Sequence, residues 1–165
     1  MNKSLLFCPP TFFTVAYKIN PWMNPSVPVT QDLAFKQWQA LVDTYKDLSL
    51  SINVLSPVPG LLDMVFAANG FFSIGKKAVV SRYRYKERQG ETPHYKKWLK
   101  DHSFEVIDPK QIVYEGQGDT LLVDGLILQG YGFRSDKKIV DVLSHTFPKK
   151  TIVPLTIAAF HATAG

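Results

Sequence analysis

One pattern of hairpin, helix and strand occurs twice in this chain, and it limits the fold more than any single motif. The first copy opens in "DMVFAANGFFSIGKKAVVSRYR", which reads as extended segments joined by turns at Asn69-Gly70 and around Gly75. It passes through "ERQGET" into the helix-like "PHYKKWLKDH" and the strand-like "FEVID". The second opens in "EGQGDTLLVDGLILQGYGFR", where Asp124-Gly125 is the residue pair favoured in a two-residue hairpin turn. It continues into the helical "SDKKIVDVLSHTF" and the strand "TIVPLTI". In both copies an acidic or amide residue precedes the hairpin, and an arginine follows it at the helix entrance. A unit of about 45–60 residues cannot bury its apolar face alone, so the copies are expected to stack as modules. With two clear copies and the opening segment as a partial third, the array is too short to close.

The opening third predicts a strand at "TFFTVAY", a proline-rich loop at "KINPWMNPSVPV" and a helix over "TQDLAFKQWQALVDTYKDL". Leu33, Trp38, Leu41, Val42 and Tyr45 recur at helical spacing, with Thr30 or Asp32 as N-cap. A strand in "SLSINVLSP" follows, stopped by Pro57. The 165 residues, 45% of them apolar, suffice for one α/β domain with a sizeable core. No run approaches the roughly 18 apolar residues of a membrane span, so no membrane partner is expected. Pro9 and Pro10 interrupt the first apolar run and no small-residue cleavage site follows, which argues against a secretory signal. The single cysteine, Cys8, excludes an internal disulfide and a thiolate metal site and fits the cytoplasm. Much of the +5 net charge lies in "KKAVVSRYRYKERQ" and "HYKKWLK". Without an RNP, KH or zinc-finger pattern, this is read as a solvated helix face with its flanks, and no nucleic-acid partner is expected.

Four polar clusters fall where strands meet turns, the usual place for sites on an α/β scaffold. They are Asn20 in "INPWM", Asp63 and Asn69 in "LLDMVFAANG", Glu115 and Asp119 in "EGQGD", and the arginines Arg88 and Arg134. Each has a plain structural alternative. Asn69-Gly70 is a turn dipeptide, Asp63 and Asp119 can serve turns, and Gly116 and Gly118 supply a bend. Together, carboxylates and amides accept hydrogen bonds from a planar cation, while arginines hold a carboxylate in two-pronged fashion. The set suits a zwitterion with a guanidinium at one end.

The wording of five ordered motifs is more specific. "FCPPTFFTVAYKINPWMNP", "PGLLDMVFAANG", "RYKERQGE", "EGQGD" and "GYGFRSD" resemble the guanidino-group-modifying (amidinotransferase or pentein) superfamily. Within it they are most similar to dimethylarginine dimethylaminohydrolases and to the arginine dihydrolase-type branch, up to about residue 155. The resemblance implies an α/β propeller of five ββαβ blades, of which residues 1–165 would supply about three, as the N-terminal part and a single domain. It implies attack of a cysteine thiolate on the guanidinium carbon, with a histidine as general acid and base. It calls for no cofactor and no metal. By motif, Asn20, Asp63 and Asn69 would bind the guanidinium, with an amide at Asn69 marking the dihydrolase-type branch. Glu115 would support the histidine and the guanidinium, with Asp119 as the alternative, while Arg88 and Arg134 would clamp the substrate carboxylate.

His161 stands in register with the family histidine, although "AAFHATA" replaces a stretch like "RFYHLDT" and Thr163 takes the aspartate position. Cys8 belongs to the opening "CPP" and does not match the nucleophile, which lies further along the family's chains. The expectation is therefore a truncated, arginine-modifying hydrolase that is inactive alone. Its ligand would be arginine or a methylated arginine, and a second copy or a separate C-terminal fragment would complete it. The alternative is a non-catalytic module that binds arginine or docks on a relative.

Overall fold

The computed structural model describes residues 4–157, and the chain divides into two compact units, Met1–Ala67 and Ala68–Gly165. In the first unit, strand β1 (Ser4–Phe7) is joined through helix α1 (Gln31–Asp47) to strand β2 (Ser51–Val54). The strands run parallel, with Ser4 opposite Ser51 and Phe7 opposite Val54. Parallel neighbours need a long crossover, and α1 supplies it. Phe7 packs its ring on Trp38 at 6.4 Å and on Tyr45 at 5.8 Å between centroids.

The buried stripe of α1 thus runs through Trp38, Val42 and Tyr45. Leu33 and Leu41, expected on it, are exposed. At about 100° per residue Leu33 lies ~140° around the helix from Trp38, too far to share its face. Thr30 occupies the N-cap position of α1, but its side chain makes no capping bond. "TFFTVAY" is not a strand: beyond Pro9-Pro10 the chain turns, with Phe13 N–H bonded to Pro10 O at 3.1 Å. The place beside β2 is taken by "SLLF" instead.

In the second unit the hairpin–helix–strand pattern occurs twice. Strands β3 (Phe71–Ile74) and β4 (Lys77–Val80) form an antiparallel hairpin. Helices α2 (Lys86–Gln89) and α3 (Thr92–Asp101) lead to β5 (Glu105–Ile107), which joins β4 in parallel. Strands β6 (Thr120–Val123) and β7 (Leu126–Tyr131) repeat the hairpin, and helix α4 (Ile139–Thr146) returns to β8 (Thr151–Thr156), parallel to β7. Asp124 and Gly125 both have positive φ, 47° and 85°. A tight hairpin of this twist requires that, and Asp-Gly tolerates it. "DMVFA" departs from the extended reading, because Leu62–Val65 is a 3₁₀ turn, and the expected turn at Asn69-Gly70 is a 3₁₀ turn over Ala67–Gly70.

Phe72, Val79, Tyr114, Ile127, Ile139, Leu143 and Phe147 form one buried cluster. Ile139 and Leu143 lie one helical turn apart on α4, so one face of that helix covers both sheets. Phe72 of the first copy meets Phe147 after α4 edge-on at 5.6 Å. Each copy borrows apolar cover from the other. Among the described residues no helix is long and apolar enough to cross a membrane.

Candidate functional site

The "EGQGD" motif forms a tight turn leading into β6, and its glycines are there for space. At Gly116 φ is +54°, and a Cβ would sit 2.8 Å from the backbone N and O of Phe71. At Gly118 a Cβ would run into the Asn69 side-chain nitrogen and come within 3.2 Å of Arg134 Nη2. Asn69 and Arg134 therefore both close on Gly118. The flanking acids, Glu115 and Asp119, are buried.

Arg134 reaches back over this turn. Its Nε and Nη2 donate to Asp119 Oδ1 at 3.2 and 2.7 Å, and Nη2 also donates to Gly118 O at 2.7 Å. Nη1 lies 3.7 Å from Glu115 Oε2. Ser135 donates its hydroxyl to Asp119 Oδ2 at 2.7 Å and accepts the Glu115 N–H at 3.2 Å. Among the described residues, buried Asn69 Nδ2 and Glu115 Oε1 have no hydrogen-bond partner. A donor and an acceptor left open in one polar cluster are costly unless a ligand or water meets them. Burial pushes the Glu115 carboxyl above the ordinary glutamate value; Arg134 and Arg88 pull it back, and the Asp119 charge adds to the rise.

Arg88 sits differently. It is buried, donates from Nε and Nη2 to Glu91 Oε1 and Oε2 at 2.7 and 2.9 Å, and lies 4.5 Å above the Tyr83 ring. Burial, with the charges of Tyr95 and Glu91 beside it, holds the Tyr83 phenol well above its usual range.

In the first unit, Asp63 is buried and accepts the Tyr17 hydroxyl at 2.9 Å. Asn20 Oδ1 accepts the backbone N–H groups of Trp22 and Met23 at 3.0 and 3.1 Å, capping its own turn. Cys8 is fully buried. His161 lies outside the described residues. The second unit thus gathers Asn69, Glu115, Asp119 and Arg134 at one turn, and Arg88 reaches Glu115 by its charge. A polar cavity of about 260 Å³, lined by Arg82, Tyr83, Thr92 and Lys110 among others, takes in none of these.

No family model matches the chain. A dimethylarginine dimethylaminohydrolase of Mycobacterium tuberculosis is 45% identical over 130 residues, covering 79% of this chain and 43% of that protein. A bifunctional arginine dihydrolase/ornithine cyclodeaminase of Synechocystis, ArgZ, is 40% identical over 136 residues, or 80% of this chain and 19% of that protein. The crystal structure of the N-terminal domain of ArgZ bound to substrate matches with a TM-score of 0.87 at 34% identity, covering 94% of this chain and 59% of that one. The chain belongs to the guanidino-group-modifying superfamily.

Its mixed α/β fold is that of this superfamily, and a dimethylarginine dimethylaminohydrolase adduct at 17% identity and TM-score 0.73 shares the fold. The chain spans less than half of the Mycobacterium relative and about three-fifths of the ArgZ N-terminal domain. Three residues of the clusters escape motif reading: Tyr17, Glu91 and Ser135. Glu91 follows Arg88 by three residues, a spacing at which helical side chains meet, so "RQGE" carried that signal. Ser135 and Tyr17 carry none, because their partners lie 16 and 46 positions away.

Proposed function

We propose that this chain grips the guanidinium and carboxylate of arginine, or of a methylated arginine, as part of an enzyme that modifies linear amidines. The observation that carries this reading is the buried turn where Asn69, Glu115, Asp119 and Arg134 converge with a donor and an acceptor open. Guanidinium recognition needs several acceptors in a dry setting, where each charge-assisted bond counts for more than in water. In this reading Glu115 and Asn69 meet the guanidinium, and by motif Asp63 and Asn20 are assigned to guanidinium binding as well. Arg134, about a third exposed with Nη1 loosely held, takes the carboxylate. Arg88, committed to Glu91, acts on the site through its charge at Glu115.

Relatives lend chemical support. An AgrE cysteine-to-alanine variant has been crystallised with L-arginine, and an ArgZ N-terminal domain variant is covalently bound to a reaction intermediate. The finer reading follows that of the superfamily: a cytoplasmic protein, with residues 1–165 as a single domain that supplies the N-terminal part, about three of five blades, of an α/β propeller. His161 is the general acid and base, and the attacking thiolate is not Cys8, which is fully buried.

Calorimetric titration of the chain with L-arginine tests this. Saturable heat that Asp63→Ala or Arg134→Ala removes is the expected result, and no heat at millimolar arginine overturns the reading. Ammonia or citrulline release from arginine then separates turnover from binding alone.

A further inference from the structure

Arg134 and Ser135 are adjacent in sequence, yet both side chains turn back to the same five-residue turn, Glu115 to Asp119. Arg134 takes Oδ1 of Asp119, and Ser135 takes Oδ2. The Ser135 oxygen is used twice, since it also receives the Glu115 N–H. One fully buried hydroxyl therefore ties the side chain of one acid to the backbone of the other. The segment around it is fixed from both sides. Gly132 N–H bonds to Ser135 O at 2.9 Å, Asp136 N–H bonds to Val113 O at 2.9 Å, and Asp136 Oδ2 accepts the Val113 N–H at 3.0 Å.

We infer that Ser135 is a positioning residue that sets Glu115 and Asp119 at the spacing a guanidinium ligand requires. The inference rests on the arginine reading above. The acceptor side of the turn leaves little slack. Asp119 O takes the Gly130 N–H at 2.7 Å, while Glu115 O takes the Gly118 N–H at 3.1 Å. With the backbone so held, the remaining freedom is the rotation of the two carboxylates. For Asp119 the groups that limit it are Arg134 and Ser135; for Glu115 they are Arg134, the charge of Arg88 and the backbone of Arg84. Removing the hydroxyl would leave Arg134 as the side chain that holds Asp119. Asp119 would then be free to swing toward that cation and draw Arg134 away from Glu115. A hydroxyl that only filled space would have no such effect.

The test uses the full chain and two variants, Ser135→Ala and Ser135→Thr. With wild-type heat for arginine, Ser135→Ala should weaken affinity about tenfold, the usual effect of losing a bond to a charged group. Ser135→Thr, which keeps the hydroxyl, should restore most of it. Equal affinity in wild type and Ser135→Ala overturns the inference. Amide hydrogen exchange at Glu115 is read in parallel by NMR, without ligand. Faster exchange at Glu115 in Ser135→Ala, reversed in Ser135→Thr, is expected while the β6 and β7 amides stay protected. If wild type gives no heat with arginine, the arginine reading fails, and the exchange data alone decide on Ser135. Unchanged exchange at Glu115 then overturns the positioning role as well. Exchange accelerated throughout the sheet would mark a merely structural serine and would also overturn it.

Discussion

The two hairpin–helix–strand copies of the second unit share a connectivity and differ in what they do with their arginine. In the first copy Arg88 is buried, held by both oxygens of Glu91 and stacked on Tyr83. In the second, Arg134 stays about a third exposed and returns to the acids ahead of its own hairpin. The first arrangement neutralises a buried charge locally, three residues away. The second leaves a partly satisfied cation beside a carboxylate that burial has made reluctant to ionise. The same residue type at the same place in a repeat is thus buried on a neighbouring carboxylate in one copy and left partly exposed beside two acids in the other. What separates them is the nearest carboxylate.

That contrast breaks most readily at Glu91. Glu91→Ala should take the two-pronged carboxylate from a buried arginine and cost about 3–5 kcal/mol, read by chemical denaturation. Replacing both members by apolar residues of similar volume should recover most of that loss. A loss under about 1 kcal/mol for Glu91→Ala would mean that other groups or water hold Arg88, and the two arginines would no longer differ in kind.

Arg134→Ala should leave the fold largely intact and lower arginine affinity by about 1.5–3 kcal/mol, the scale of a hydrogen bond to a charged group. Calorimetry measures the affinity, and thermal denaturation checks the fold. If stability falls as far as for Glu91→Ala, Arg134 is as structural as Arg88.

A smaller effect is expected outside both arginines. Asp108 accepts from Arg82 Nε at 2.8 Å, from Lys96 at 3.0 Å and from the Lys110 N–H at 2.9 Å. Burial opposes its ionisation, but these donors outweigh burial and hold the carboxyl well below the usual range. A depressed carboxylate stabilises the fold above its unfolded pKa and loses that contribution as pH falls through the folded value. Asp108→Asn should therefore cost about 1 kcal/mol at neutral pH and flatten the acid limb of the stability curve.

The smallest change is expected at Glu115, with the opposite sign. Its raised pKa means the folded chain binds the proton more tightly than the unfolded one. Stability should then fall as pH rises from the ordinary glutamate value to the raised one. Glu115→Gln should remove that slope, with melting followed from about pH 4 to 8, while weakening arginine binding. A slope that survives in Glu115→Gln assigns it to another group.

Local chemistry made much of this legible. The Asp124-Gly125 hairpin, the helices at Thr92–Asp101 and Ile139–Thr146 and the returning strands follow from turn type and periodicity. The exceptions are instructive. "TFFTVAY" has the apolar content of a strand but pairs with no described strand, and the extended reading of "DMVF" yields to a 3₁₀ turn at Leu62–Val65. Leu33 and Leu41 show that spacing alone does not say which stripe of a helix meets its strand. Motif order pointed to Asn69, Glu115, Asp119 and Arg134 without saying that they meet.

By itself the sequence determined which segments repeat, which residue types could hold a guanidinium and which turns need glycine, since these depend on neighbours within a few positions. Only the tertiary structure decided which partner each charge takes. Arg88 meets Glu91 within one turn of chain, whereas Arg134 and Ser135 meet Asp119 across a hairpin. The physical reason is that the energy of a buried ion depends on the few ångströms around it, and two hairpins of like sequence fill those ångströms differently.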